Sequence, residues 1–242
     1  MTHEPAAGAI RPDTQIAAMF GRIVRRYDLM NRQMTFGQDV RWRRKAVRAA
    51  LGAGDSRALD VATGTGDLAI ALADGGFREV IGLDFAPEMI AAAEEKRLGR
   101  VDLSFIVGDA LDLPFPGDHF DAVTVSFGLR NMRDYLAALT EMTRVIEPGG
   151  RFVCLELTPY RAPVLGRIFN WYFTRIVPRI GGWLSGDAEA YRYLPTSVAS
   201  FPDAQALSAM MKEAGLAAVE YELLGLGTVA LHVAIKPVPR QP

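Results

Sequence analysis

The spacing of apolar positions changes near residue 56. Before it, Ile16, Met19, Phe20, Ile23 and Val24 recur at three- and four-residue intervals, and Tyr27-Asp28-Leu29-Met30-Asn31 follows. That period predicts a helix with one apolar side. Phe36-Gly37 breaks it, and Val40 to Leu51 predicts a second helix ending near Gly52 and Gly54. After residue 56, short bounded apolar runs alternate with helical stretches. Ala58 to Ala62 reads as a first strand, and Leu68 to Ala73 as a crossover helix closed by Gly75-Gly76. Val80 to Asp84 is a second strand, and Pro87 opens a helix continued by Met89 to Lys96. Leu103 to Val107 and Phe120 to Ser126 are the third and fourth strands, separated by the Pro-rich turn Leu113 to Asp118. Asp134 to Val145 is a helix, stopped by Pro148-Gly149-Gly150, and Arg151 to Leu157 is the fifth strand. A helix over Ala204 to Ala214 precedes two last strands, Ala218 to Leu224 and Thr228 to Lys236, joined at Gly225-Leu226-Gly227. This rhythm predicts an α/β fold: a doubly wound, mainly parallel, seven-stranded sheet with a terminal antiparallel hairpin.

Two stretches fall outside the rhythm. Residues 1–13 read as a mobile arm, with residues 14–242 as a single domain. That domain carries an N-terminal helical segment, 14–52, and a helical, aromatic insertion, 160–200. Within the insertion, Leu165, Ile168, Phe169, Tyr172, Phe173 and Ile176 line one helical side, punctuated by arginines. Such a side suits contact with a membrane surface; a lid or the helix of a homodimer has the same pattern.

Composition narrows the classes. The chain has 242 residues and is half hydrophobic, enough for one sizeable α/β domain. A net charge of −1 gives no reason to expect nucleic acid as a partner. The single cysteine, Cys154, sits in an apolar run, which reads as core and fits a reducing compartment. Met1 to Pro12 lacks a signal-peptide pattern, and no run approaches the roughly 18 apolar residues of a spanning helix. The expectation is a cytoplasmic protein, with a peripheral place on the inner face of the membrane left open. Between Phe20 and Arg48, nine basic residues face two acids, Asp28 and Asp39. They form either the solvated side of two helices or a surface for anionic lipid or an anionic ligand.

The chemistry gathers at Ala58 to Ala69. A strand end, the glycine turn Thr63 to Gly66 and a helix start with Asp67 as its expected N-cap make a ligand site close to backbone N–H groups. Gly64-Thr65-Gly66 with Ala69 fits a dinucleotide fingerprint, with Asp84 near the spacing of a ribose-binding acid. Three features point elsewhere: Asp60 before the turn, Asp109 after the third strand, and the terminal hairpin. In that order these residues resemble a class I S-adenosylmethionine-dependent methyltransferase, which implies the corresponding Rossmann-like fold. Ala62 departs from that pattern, which usually has glycine there. The strings Tyr27-Asp28-Leu29-Met30-Asn31, Phe36-Gly37, Trp42-Arg43-Arg44, Asp60 to Asp67, Gly82-Leu83-Asp84-Phe85, Ser126-Phe127-Gly128-Leu129-Arg130-Asn131 and Tyr191-Arg192-Tyr193-Leu194 occur together. They resemble the C-methyltransferase family of menaquinone and ubiquinone biosynthesis, from Met19 to Lys236.

The resemblance implies S-adenosylmethionine as cofactor and a polyprenyl quinol as substrate. It places cofactor contacts at Thr63, Asp84, Asp109, Ala110 and Ser126, with Gly64 and Gly66 letting backbone approach the ligand. Demethylmenaquinol is the leading acceptor, with a benzoquinol precursor or another phenol as alternatives; a non-catalytic cofactor-binding scaffold is the reading from another class. A quinone ring is too electron-poor to attack a sulfonium methyl, so the reduced ring must be the nucleophile, helped by loss of a hydroxyl proton. Arg130 could stabilise the phenolate and Asn131 orient it, or both could simply hold the loop. Tyr27 could close over the cofactor or serve only in packing. Tyr191 and Tyr193 could line a ring pocket or belong to the core. No metal-ligand cluster is visible, and displacement from a sulfonium requires none.

Overall fold

A computed structural model describes residues 13–52, 54, 56–159 and 188–239. Five strands, β1 (Arg57–Val61), β2 (Glu79–Asp84), β3 (Leu103–Val107), β4 (Phe120–Ser126) and β5 (Ile146–Leu157), run parallel. β7 (Val229–Ile235) pairs antiparallel with both β5 and β6 (Ala217–Leu224). The sheet order is β3-β2-β1-β4-β5-β7-β6, so the expected α/β architecture and its antiparallel hairpin are present. The order reverses at β1, which lies between β2 and β4. In such a sheet the carboxyl ends of the strands on either side of the reversal open a crevice for ligands.

Both faces of the sheet are covered, which is why its strands read as unbroken apolar runs. Leu59, Val61, Val123 and Val125 face one layer with Leu139 and Met142 of α5 (Tyr135–Val145) and Leu207 and Met211 of α7 (Ala204–Glu213). Ala58, Val80, Ala122 and Val153 face the other, with Leu68 and Leu72 of α3 (Asp67–Gly75) and Trp42 and Val47 of α2 (Gln38–Ala50). α4 (Pro87–Arg97) adds Ile90 and Ala93 to that second layer. α1 (Asp13–Met34) stands apart. Its Ile16, Met19, Ile23 and Met30 form a separate cluster with Tyr193 of α6 (Ala188–Ser200).

The structure revises several boundaries. β5 begins at Ile146, directly after α5, and not at Arg151. Pro148-Gly149-Gly150 is absorbed as an irregularity in the β4–β5 pairing. The segment stays in the sheet because the Gly149 N–H donates to the Lys236 carbonyl (2.8 Å) and the Lys236 N–H to that of Gly150 (3.0 Å). Asp67 is not an N-cap: Gly66 holds that position and Asp67 is the first helical residue. Asp13, assigned to the arm, is already helical, while residues 1–12 lie outside the described residues. So does 160–187, which holds the whole amphipathic run of the insertion; the remainder of the insertion is α6. No helix among the described residues is long and apolar enough to cross a membrane. Cys154 is buried in β5, and burial pushes its thiol well up. His232 is buried too, with its Nε2–H donating to the Ala204 carbonyl at 2.9 Å.

Candidate active site

The turn after β1 is built from left-handed backbone at Ala62 (φ 54°), Gly64 (φ 55°) and Gly66 (φ 82°). A side chain on Gly66 would strike the Phe105 ring of β3, so packing and backbone both require glycine there. Beneath the turn, the Asp60 carboxylate is buried and accepts hydroxyl donors from Thr63 (2.7 Å) and Thr124 (2.7 Å). Burial pushes its pKa up to about 6, against the opposing pull of those two hydroxyls. Thr63 thus turns its hydroxyl inward, and what it offers a ligand is its place on the wall of a pocket of about 400 Å³ around the turn.

Asp84 closes β2 beside the turn. One carboxylate oxygen accepts the Gly64 N–H (2.8 Å) and the other the Ala86 N–H (2.9 Å). Burial raises its pKa, while these backbone donors pull it back. Each oxygen retains a further lone pair, so two additional O–H donors can be met at once. Asp109, after β3, accepts the Leu111 N–H (2.9 Å) and a charge-assisted bond from Arg133 (2.8 Å).

Gly64, Asp84, Asp109, Ala110, Ser126, Asn131 and Tyr27 line one cleft of about 750 Å³, measured to its open mouth. That lies in the range of about 300–1,000 Å³ usual for ligand sites. The remaining wall includes Ile16, Phe20, Phe85, Met89 and Met132, which the sequence reading missed. Phe85 lies within the Gly82–Phe85 motif, but nothing in the spacing of Ile16 and Phe20 separates a cleft wall from core.

Tyr27 hangs from α1 over the glycine turn, and Asn31, one helical turn on, hydrogen-bonds its phenol. Burial raises the phenol's pKa above its usual 10.0, outweighing Asn31 and the nearby charge of Arg130. At neutral pH the group is therefore a neutral donor and not a phenolate base. Arg130 is 6% exposed, and its guanidinium pairs with the buried Glu156 carboxylate (2.6 Å) and donates to the Phe127 carbonyl. These are the contacts of a loop-holding group, and Arg130 does not itself line the cleft. Asn131 does, and its buried Oδ1 has no hydrogen-bond partner. An orphaned buried acceptor on a cleft wall suits a ligand that brings an O–H or N–H. Tyr193 belongs to the core cluster under α1; the side chain of Tyr191 lies outside the described residues.

A second group of charges ties α1 to the turn. Asp28 accepts the Thr65 hydroxyl (2.5 Å) and pairs with Lys96 of α4 (2.5 Å). Lys96 also reaches Thr65 (2.9 Å) and Asp67 (2.8 Å), and Asp67 meets Arg43 of α2 (3.1 Å). The expected N-cap is thus an ion-pair junction, joining residues up to about 70 positions apart whose meeting no local pattern encodes.

The donor set fits S-adenosylmethionine. Asp84 has free acceptor capacity for a ribose diol, Ala110 and Leu111 offer an adenine-sized apolar wall beside Asp109, and the glycine turn exposes backbone to the amino-acid end. The model of the ubiE/COQ5 methyltransferase family matches residues 10–236. The chain is 51% identical to a demethylmenaquinone methyltransferase of Thermus thermophilus, over 90% of this chain and all of that one. It is 44% identical to one of Deinococcus radiodurans, over 91% of this chain and 92% of the other. Among solved structures, a SAM-dependent methyltransferase of Thermotoga maritima superposes with a TM-score of 0.64 at 18% identity, over 90% of this chain and 98% of that one. The last match speaks for the fold alone; the family match and the two relatives go further, and by them this chain belongs to the ubiE/COQ5 methyltransferase family.

Proposed function

We propose that the chain methylates a ring carbon of a reduced polyprenyl quinone precursor, demethylmenaquinol, with S-adenosylmethionine as donor. One observation carries the acceptor chemistry: a neutral phenol donor, Tyr27, and an orphaned acceptor, Asn131 Oδ1, line the same cleft as Asp84. A hydroxylated ring can satisfy both, its oxygen accepting from Tyr27 and its O–H donating to Asn131. The names of the relatives from Thermus thermophilus and Deinococcus radiodurans support demethylmenaquinol in particular.

When bound, S-adenosylmethionine would supply an electrophilic sulfonium methyl to a ring carbon in line with the methyl–sulfur bond, with S-adenosylhomocysteine as the leaving group. The chain's part is to hold and to exclude. Asp84 takes the ribose hydroxyls; Gly64 and Gly66 bring backbone to the amino-acid end, where Thr63 and Ser126 complete the wall. Asp109 and Ala110 bound the adenine. Tyr27 and Asn131 would hold the ring so that its carbon faces the methyl, as an in-line displacement requires. As the new carbon–carbon bond forms and the methyl–sulfur bond breaks, one ring hydroxyl gives up its proton; when the methylated ring carbon then sheds its own hydrogen as a proton, that oxygen takes one back, so that a single proton is released per methyl transferred. Arg130, paired with Glu156, holds the Phe127–Asn131 loop and contributes positive charge near Tyr27. α1 with its aromatic inner side keeps bulk water from the sulfonium.

Incubation of the purified chain with labelled S-adenosylmethionine and a series of naphthoquinol and benzoquinol acceptors tests the proposal. Labelled menaquinol is the expected product, with Asn131→Asp or Tyr27→Phe lowering kcat by about 10- to 100-fold at unchanged cofactor affinity. Label appearing only in a benzoquinol moves the substrate, and no label in any acceptor removes the enzymatic reading.

A further inference from the structure

The inner side of α1 is accounted for: Ile16, Phe20 and Tyr27 face the cleft, and Met19, Ile23 and Met30 the cluster with Tyr193. Its outer side is not. Arg22, Leu29 and Arg32 are exposed there, spaced so as to share a side, and the elbow to α2 ends in Phe36. Leu29 is 59% and Phe36 81% exposed. A phenylalanine that exposed, at the tip of an elbow held in left-handed backbone (φ 51°), is left largely uncovered by the described residues. The acid of this region that α1 contributes near the turn, Asp28, is directed inward to Thr65 and Lys96. α2 follows at once and exposes Arg41, Arg44 and Arg48 along one side. Among the described residues Arg32, Arg41, Arg44 and Arg48 have no ion-pair partner, in a chain whose net charge is only −1. Unpaired arginines around an exposed aromatic and an exposed leucine are the composition of an interfacial helix.

We propose that the outer side of α1, the Thr35–Gly37 elbow and the start of α2 dock on an anionic lipid bilayer, with Phe36 inserted among the headgroups and the arginines on lipid phosphates. The choice of a membrane over an acidic protein rests on the polyprenyl-acceptor reading above. The placement gives that reading a path: the helix that roofs the cleft on its inner side lies on the bilayer with its outer side. A prenyl tail then remains in lipid while its ring enters under α1.

Co-sedimentation of the full chain with vesicles of phosphatidylcholine, with and without phosphatidylglycerol, tests it. The expected result is binding only to the anionic vesicles, reversed by salt, with a drop of about tenfold in Arg32→Glu/Arg41→Glu and a similar drop in Phe36→Ser. No binding of the unaltered chain to anionic vesicles at low salt overturns the proposal. So does binding of both variants at the unaltered level, which would put the contact elsewhere. Calorimetry with S-adenosylhomocysteine shows that the variants are folded, and turnover of a short-tailed quinol in detergent should be unchanged in them. Failure of that turnover in the unaltered chain sinks the substrate assignment, and the vesicle result still decides the docking surface.

Discussion

Ala62 stands in left-handed backbone where glycine is the easier residue, and the reason it is tolerated lies across the turn. A β-carbon on Gly128 would overlap the Ala62 methyl, so the two positions share one methyl's worth of space. Gly128→Ala should destabilise the protein by about 1–3 kcal/mol through overpacking. Ala62→Gly in that background should recover most of the loss, as coupled neighbours do. Urea unfolding of the two single variants and the double variant checks this; additive losses would mean the residues do not compete. Asp60 makes a pH prediction at the same scale. Its folded pKa of about 6 lies above the ordinary aspartate value of 3.8. The fold therefore favours the protonated acid, and this contribution is present at low pH and fades as pH rises from about 4 through 6. It amounts to something on the order of 3 kcal/mol. Asp60→Asn cannot titrate, so the stability gap between the unaltered chain and this variant should shift against the unaltered chain over that range. A gap constant with pH would show that Asp60 stays ionised.

At the scale of elements, α1 is the part whose place the sequence foretold least. Its periodicity gave a helix with an apolar side, and that is what forms. Nothing in the spacing told that its inner side would roof a cleft, because the roof is made by contacts with the β1 turn and α4, far along the chain. The same holds for Arg130: its position after β4 was legible, but its buried partner Glu156 sits in β5 and reverses the emphasis from catalysis to support. β5 itself was misread at its start because Pro148-Gly149-Gly150 signals a stop, while the bonds to Lys236 that hold it in the sheet are long-range. The roof is fastened by Asp28 to Lys96 and Thr65, a pair about a third exposed. Such a pair is worth about 0.2–1 kcal/mol. Lys96→Met should therefore speed release of S-adenosylhomocysteine about two- to fivefold, and added salt should speed it in the unaltered chain but not in the variant. Stopped-flow displacement measures this; a release rate indifferent to both would mean that α1 does not move for exchange.

For the whole molecule, the strand rhythm, the switch point and the donor side of the cleft were legible because each rests on local punctuation: bounded apolar runs, glycine turns, and acids placed at strand ends. Those same features do not by themselves choose between a dinucleotide and S-adenosylmethionine; the arrangement of the second half of the sheet does. A dinucleotide needs a second mononucleotide-binding half across the switch point. Here the turn after β4 is filled by Phe127, whose ring packs toward Trp42 with centroids 6.5 Å apart, and β5 is followed in the sheet by the antiparallel β7. Asp84 and Asp109 offer acceptors for one nucleoside on one side of the cleft, and Tyr27, Phe127 and Asn131 line the rest of its wall without a second acid of that kind among them. The consequence is measurable on the intact chain. S-adenosylhomocysteine at a hundred times its Kd should stabilise the fold by about 2.7 kcal/mol, which for a chain of this size raises Tm by about 5–10 °C. NAD at the same concentration should leave Tm unchanged, and Asp84→Ala should abolish the shift with S-adenosylhomocysteine. Equal shifts with both ligands would mean that the second half of the sheet does accept a nucleotide, and the assignment of the cleft to a single nucleoside with its sulfur-bearing tail would fail with it.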